Sequence, residues 1–476
     1  GTIMFDNKIP TYWDYERDPD NYFEFSNGVT KHDLNNYTLD ALNARYEDLT
    51  SPTYINLGKQ SPFSSINDNT SEFRSWNVNK EPFIYPIKIQ PFLAHGARTD
   101  QPNINDKAYK FWNNCITIHD EVLDLVCNQK RGKICLYNNW EAWEATVYIN
   151  IMNVLCSRYA VWGLNFNHFI ISSCNELLSS DERIPHHVKS SLLCLEPFSS
   201  TIQDTIIDKI RKKEQRKNKF ICLNRVQRWH RHAAVAELWD DTQHGIISSM
   251  CVRYGTPGID EFQSIAGLNH TGQQWIDYVR NNIKNNRTMR WYVKEGLQDN
   301  YPQSYSLYEK HNLIDKIPIM LEDDGSPIIN PVPDPNTQKF FDSSLNIVTE
   351  TFGGIEDGSI FLTEKVYKPM LHFQPFVIVA GPNHILSLKN RGYKTFDNWI
   401  DESYDSIQDN QTRLTAAIQS AKQFYMRSKE DIAQDLFDML DTLIHNRNHY
   451  EFDKDHLRTS LLSQVAMTLN YCRRDE

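Results

Sequence analysis

Long apolar runs are missing from this chain. No stretch approaches the roughly 18 residues that a membrane helix needs, and segments such as Phe376 to Ala380 have the length of buried strands instead, so no membrane span is expected. Several chemistry-bearing patterns are also missing: there is no Gly-x-Gly-x-x-Gly, no Walker A loop, no zinc-type spacing of cysteine pairs and no His-Glu-x-x-His. Dehydrogenase, P-loop and zincin chemistries therefore lose their usual sequence support. Positive charge is in deficit, with 50 Lys and Arg against 61 Asp and Glu and a net charge of −11. A surface that clings as a whole to nucleic acid or anionic lipid does not fit that balance, and any polyanion site has to be a local patch. The first residues, Gly1-Thr2-Ile3-Met4, lack the basic region and apolar core of a secretion signal, and Met4 reads as the natural start. Internal repeats and low-complexity tracts are lacking as well.

What is present is ordinary globular material. With 476 residues, 40% hydrophobic and 23% charged, the chain is long enough for two or three domains with sizeable cores. Its nine cysteines are odd in number and sit mostly inside apolar runs such as Lys133-Ile-Cys-Leu-Tyr137 and Phe220-Ile-Cys-Leu223, which reads as reduced core thiols in a reducing compartment. Glycosylation-type triplets at Asn36, Asn69, Asn269, Asn286 and Asn410 weigh less, because an Asn-rich chain makes them by chance.

Residues 1–75 are rich in Asn, Asp, Tyr and Ser with little periodicity and read as an irregular extension packed by its aromatics, Trp13, Tyr22, Phe23 and Phe25. From there the pattern changes. Pro82 to Ile89 and Gly132 to Tyr137 have the look of buried strands, followed by a helical stretch from Glu141 to Tyr159 and a strand within Asn167 to Ser173. Strand, helix and strand at this spacing imply a parallel sheet, and residues 76–205 are read as one doubly wound α/β domain. A second of the same kind spans residues 206–405, with strands in Lys219 to Leu223, Ser344 to Thr349 and Pro375 to Ala380, and helices over Arg231 to Trp239, Glu364 to Phe373 and His384 to Asn390. Residues 406–476 hold C-terminal helices, with one or two amphipathic helices over 409–446.

The segment richest in chemistry runs from Glu350 through Gly353-Gly354 to Thr363-Glu-Lys-Val-Tyr-Lys-Pro-Met370. Thr363 can cap a helix whose first turn holds Glu364 and Lys365, with Lys368 one turn further on. Backbone N–H groups and two ammonium groups there suit a diphosphate, and Glu364 can accept hydrogen bonds from ribose or sugar hydroxyls. The plainer alternative is that Thr363 and Glu364 only cap the helix while Lys365 is solvated.

This stretch, continuing to Gly381, resembles the donor-binding signature of glycosyltransferases with two Rossmann-like domains, the GT-B architecture, especially the fucosyltransferase and exostosin-like groups, in which a Thr-Glu-Lys sequence also opens a helix. Gly392-Tyr-Lys-Thr-Phe-Asp397 and Ile400-Asp-Glu-Ser-Tyr-Asp405 are similar to a tail in phage and giant-virus relatives of these groups. The resemblance implies donor-binding roles for Glu364 and Lys365, a UDP- or GDP-linked sugar as co-substrate with no further cofactor, and the cytoplasm of a microbe or an infected host cell.

Two further segments fit that frame. Phe220 to His232 places Arg225, Arg228 and Arg231 between a strand and the next helix, where open α/β sheets bind ligands. Their guanidinium groups can fork onto phosphate oxygens and balance charge on a departing nucleoside diphosphate, the alternative being a solvated basic turn. Glu141, after the strand ending at Tyr137, is the candidate base for an acceptor hydroxyl. Glu144 is the substitute, and a carboxylate favoured by a helix dipole is the plain alternative.

The Asp-x-Asp pairs at Asp18 to Asp20 and Asp453 to Asp455 do not follow apolar strands, so a metal-independent mechanism is expected, with Lys365 and the arginines in place of a cation. His186-His187 and His230-x-His232 read as packing residues with no third ligand nearby. The expected reaction is transfer of a sugar from a nucleotide-sugar to a glycan or other hydroxyl, with inversion favoured over retention and chemistry in the cleft between the domains. Two alternatives remain: a viral enzyme glycosylating a modified DNA base, or a non-catalytic carbohydrate- or nucleic-acid-binding protein on a transferase scaffold. Both would use the basic run from Lys209 to Lys219, which holds seven Lys and Arg in eleven positions.

Overall fold

Each apolar run singled out as a buried strand lies in a parallel β-sheet. The computed structural model describes residues 9–11, 73–75, 83–88, 118, 120–138, 142–189, 195, 197–224, 228–249, 287–316, 338–351, 353 and 359–471. The chain divides into two compact units, Gly1–Cys194 with Lys454–Glu476, and Leu195–Asp453. Both are α/β.

The first unit carries β1 (Ile9–Thr11), β2 (Phe73–Ser75), β3 (Phe83–Lys88), β4 (Gly132–Asn138), β5 (Phe169–Ser173) and β6 (His187–Lys189), in the order β2-β1-β3-β4-β5-β6. Every pairing is parallel. All five residues of β5 are buried, the signature of a parallel strand covered on both faces. Helix α1 (Ala145–Arg158) places Val147, Tyr148, Ile151, Met152 and Leu155 against Ile134, Leu136, Phe169 and Ile171, a helical stripe meeting alternate positions of two strands. The helix starts four residues later than its periodicity predicts. Glu144 is its extended N-cap, and the Trp143 carbonyl accepts 3.0 Å from Asn175 Nδ2, which draws that stretch out of helical register. β1 and β2 fall inside the stretch read as irregular, because three-residue strands are too short for alternation to register.

The second unit begins with α2 (Ser200–Arg211), β7 (Asn218–Cys222), α3 (Trp229–Leu238), β8 (Gly245–Ile247), α4 (Arg287–Asn300) and α5 (Pro302–Lys310). It continues with β9 (Ser343–Thr349), α6 (Glu364–Leu371), β10 (Phe376–Val379), α7 (His384–Asn390), α8 (Asn410–Tyr425), α9 (Lys429–Asp438) and the part of α10 (Leu440–Tyr471) up to Asp453. Its sheet runs β10-β9-β7-β8, all parallel. The C-terminal helices number three rather than one or two. Asp409 caps α8 through the Thr412 amide at 2.8 Å and Ser428 caps α9 through the Asp431 amide at 3.0 Å, as such residues do at helix starts. On α10, the Tyr450 hydroxyl accepts from Leu195 N at 2.9 Å and donates to Leu195 O at 3.0 Å, joining residues 255 apart.

Cys127, Cys135, Cys156, Cys174 and Cys222 are reduced, outside any disulfide, and Cys135, Cys174 and Cys222 are buried. Among the described residues, no helix is long and apolar enough to cross a membrane.

Candidate functional site

The register of the second sheet brings the two chemistry-rich segments together. β7 and β9 are neighbours, with Phe220 opposite Leu345 and Ile221 opposite Asn346, so the residues that follow both strands emerge at one carboxyl edge. The link is tightened there by side chains. Thr349 Oγ1 donates to Asn224 Oδ1 at 2.6 Å, and Asn224 Nδ2 donates to Ser248 O at 3.0 Å.

Glu350, the residue after β9, is fully buried. Its Oε1 accepts from Thr363 N at 3.0 Å, and its Oε2 accepts from Thr351 N at 3.1 Å and from Thr363 Oγ1 at 2.6 Å. Burial pushes this carboxyl up from its ordinary range, while Lys365 and the Thr363 hydrogen bonds work against that. Thr363 is the N-cap of α6, its Oγ1 accepting from Lys365 N at 3.3 Å. The Lys365 ammonium reaches back to Thr363 Oγ1 at 3.2 Å and to Glu364 Oε1 at 2.8 Å. The Lys365 and Glu364 side chains stay 31% and 27% exposed, so both are open to a ligand. Burial works to raise the Glu364 carboxyl, but the Lys365 ammonium and its hydrogen bond together hold it below the ordinary value. Lys368 lies over the Phe340 ring, 4.9 Å from its centre.

The start of α3 meets the same carbonyl edge. His230 Nε2 lies 2.7 Å from the Glu350 carbonyl, and since a carbonyl only accepts, that nitrogen carries the proton. Arg231, 4% exposed, donates through Nη2 to Glu350 O at 3.0 Å and more weakly to Thr349 O at 3.4 Å. Burial first, then the neighbouring Arg228, brings the Arg231 guanidinium down to about 10, with Glu350 and Glu364 opposing. It stays charged at neutral pH. Arg228 is the N-cap residue of α3, and its Nε finds no partner among the described residues. Gly353 allows this closeness, because a Cβ there would lie 2.3 Å from the His230 ring. Among the described residues, four cations (Arg228, Arg231, Lys365 and Lys368) thus lie near the Glu350 and Glu364 carboxylates, with positive charge in excess for an anion.

The structure therefore brings Arg228, Arg231, Thr363, Glu364 and Lys365 to one edge, with Lys368 a turn along α6. Arg225 and Glu141 lie outside the described residues; since α1 begins at Ala145, the carboxylate at its N-cap is Glu144 rather than Glu141. The linking role of Glu350 was not read from the sequence, though an acid directly after the strand read over Ser344 to Thr349 was its available signal.

Other sequence features carry structure. Tyr404 OH accepts from Ile378 N at 3.0 Å, Asp405 receives the amides of Ile385 and Leu386 at 2.9 and 3.0 Å, and Glu402 receives Phe396 N and Thr395 Oγ1, both at 2.7 Å. The 392–405 tail thus locks β10 and α7 in place. Asp453 pairs with Arg391 at 2.6 Å and accepts from Tyr393 OH at 2.9 Å, both carboxylate and guanidinium nearly buried. Within the basic run, Arg216 donates to Ser343 O and Phe373 O at 2.8 and 3.0 Å, Lys213 lies over Phe437, and Lys219 donates to Arg427 O at 2.6 Å.

The buried histidines of α3 set a pH response. Burial, then Arg231, holds His232 down to about 4 and His230 well below its ordinary value. The unfolded chain takes these protons near pH 6.5 and the folded chain does not, so stability present above pH 6.5 is lost as pH falls toward 4. His232 alone accounts for about 3 kcal/mol of that loss. Urea midpoints at pH 7 and pH 5 should fall more steeply for the wild type than for His232→Phe, and equal declines would show that His232 titrates normally.

No family model, no curated protein and no solved structure matches this chain.

Proposed function

We propose that the protein is a nucleotide-sugar-dependent glycosyltransferase of the GT-B type, whose second unit holds the donor diphosphate at the start of α6. One observation carries this reading: the capped N-terminus of α6 and the Arg228–Arg231 pair share a sheet edge, with a positive charge in excess. In this reading the first amides of α6 with Lys365, Lys368, Arg228 and Arg225 take the diphosphate oxygens. Glu364 accepts from ribose or sugar hydroxyls. Arg231, charged and desolvated, steadies the leaving nucleoside diphosphate.

The reaction is a direct displacement. An acceptor oxygen bonds to the anomeric carbon, the bond from that carbon to the phosphate oxygen breaks with its electron pair going to the diphosphate, and the acceptor proton passes to Glu141. Glu144 is the alternative base. Inversion follows if no enzyme nucleophile intervenes. The donor is UDP- or GDP-linked, and the compartment is the cytoplasm. A glycan or similar hydroxyl acceptor is favoured over a modified DNA base, because Arg216, Lys213 and Lys219 of the basic run are engaged within the fold.

Incubation with a panel of UDP-, GDP- and dTDP-sugars tests the reading, through slow hydrolysis of one donor in the absence of acceptor. No hydrolysis and no binding of any member would remove it. Activity on that donor is expected to survive EDTA, since in this reading Lys365 and the arginines offset the diphosphate charge and Asp453 is paired with Arg391. Complete loss with EDTA and recovery with Mn²⁺ would instead require a metal-bridged donor.

A further inference from the structure

We propose that Glu350 is a positioning residue that sets the Lys365 ammonium through the Thr363 hydroxyl; its catalytic meaning rests on the donor site proposed above. The hydroxyl of Thr363 has one proton and two lone pairs. Two of its contacts, Lys365 N at 3.3 Å and Lys365 Nζ at 3.2 Å, are donors. Its proton is therefore directed to Glu350 Oε2, 2.6 Å away. The relay runs from a fully buried carboxylate, through a hydroxyl with a fixed rotor, to an ammonium that is 31% exposed. The same carboxylate accepts from Thr351 N and Thr363 N, so one side chain fastens both ends of the 351–363 segment.

Only a group with two acceptor oxygens meets these three donors. A glutamine has the shape but presents an NH₂ to one of the two backbone N–H groups, and the Thr363 hydroxyl cannot accept from it without giving up a lone pair that serves Lys365. An isosteric change should thus be felt at Lys365. A residue that merely supported the fold would show its effect across the whole unit.

The full-length chain is compared as wild type, Glu350→Gln, Thr363→Val and Thr363→Ser. Lysines are acetylated with the N-hydroxysuccinimide ester of acetic acid and followed peptide by peptide by mass spectrometry. Lys389, ion-paired to Asp397 at 3.1 Å and Glu402 at 3.2 Å, is the internal reference. The Lys365 rate relative to Lys389 should change roughly 3- to 10-fold in Glu350→Gln and in Thr363→Val, the worth of one hydrogen bond, and return to the wild-type ratio in Thr363→Ser. An unchanged ratio in Glu350→Gln overturns the proposal. If that variant does not fold, equal ratios in Thr363→Val and Thr363→Ser overturn it.

With the donor identified, Glu350→Gln should lower kcat about 10-fold in the wild type and less than about 2-fold in a Lys365→Ala background. Equal losses in both backgrounds would overturn the relay. Calorimetry of the wild type with UDP and GDP separates the two readings. Binding of neither nucleotide removes the donor site, and the acetylation ratios still decide whether Glu350 positions Lys365.

Discussion

Replacing Lys365 by alanine is expected to lower kcat/KM on the true donor by roughly 100-fold or more, the usual cost of removing one preorganised charge from a developing anion. The fold should survive the change. The Lys365–Glu364 pair is 31% and 27% exposed, and ion pairs so open to water contribute about 0–1 kcal/mol to stability. Thr363 keeps its hydroxyl and the α6 cap keeps its amide contacts, because the cap bond runs from the Lys365 backbone rather than its side chain. Catalysis and stability should therefore separate: a large fall in turnover with an almost unmoved urea midpoint. Wild-type kcat/KM in the variant would show that no diphosphate sits at the start of α6.

Arg413→Ala should do the opposite, falling first on stability rather than on turnover. Arg413 is 3% exposed. It donates to Ala380 O at 2.8 Å, Ile407 O at 2.7 Å, Gln408 O at 2.9 Å, Gly353 O at 3.0 Å and Asn410 Oδ1 at 2.7 Å. One planar fork thus ties α8 to the end of β10 and to Gly353 beside His230. Truncation takes the Arg413 donor from Ala380 O, Ile407 O and Gln408 O, while Gly353 O keeps the Tyr301 hydroxyl at 3.1 Å, and leaves a cavity, for an expected loss of about 3–5 kcal/mol. Lysine should rescue little, since a single ammonium with three protons cannot span the same acceptors. Urea unfolding of both variants checks this, and a loss under about 1 kcal/mol would mean that the fork is redundant.

Strands were the most legible part of the fold. Apolar, β-branched stretches of strand length mark buried parallel strands, and β4, β7, β9 and β10 lie within a residue of where the sequence places them. α7 occupies His384–Asn390 in both readings. The start of α1 was not legible, because it depends on an asparagine amide brought from Asn175 to the Trp143 carbonyl. β8 was missed for its length of three residues.

The site divides along the same line. Thr363 capping Lys365 is local and could be read from spacing. The linking residues could not. Arg413 meets Gly353 across 60 residues, His230 meets the Glu350 carbonyl across 120, and Glu350 meets Thr363 across 13. Each bond ends on a backbone group, which every residue possesses and which therefore leaves no mark on the sequence. In the tail from Gly392 to Asp405, Glu402, Tyr404 and Asp405 satisfy the backbone amides of Phe396, Ile378 and Ile385.

The paired hydrogen bonds between Tyr450 and Leu195 also govern the order of events during synthesis. Leu195 leaves the ribosome long before its partner, at rates of about 5–20 residues per second. For that interval its N–H and C=O have only water as a partner, and the second unit stays open at its first residue until α10 has been made. That contact, which fastens the first residue of the unit, can form only once α10 has been made.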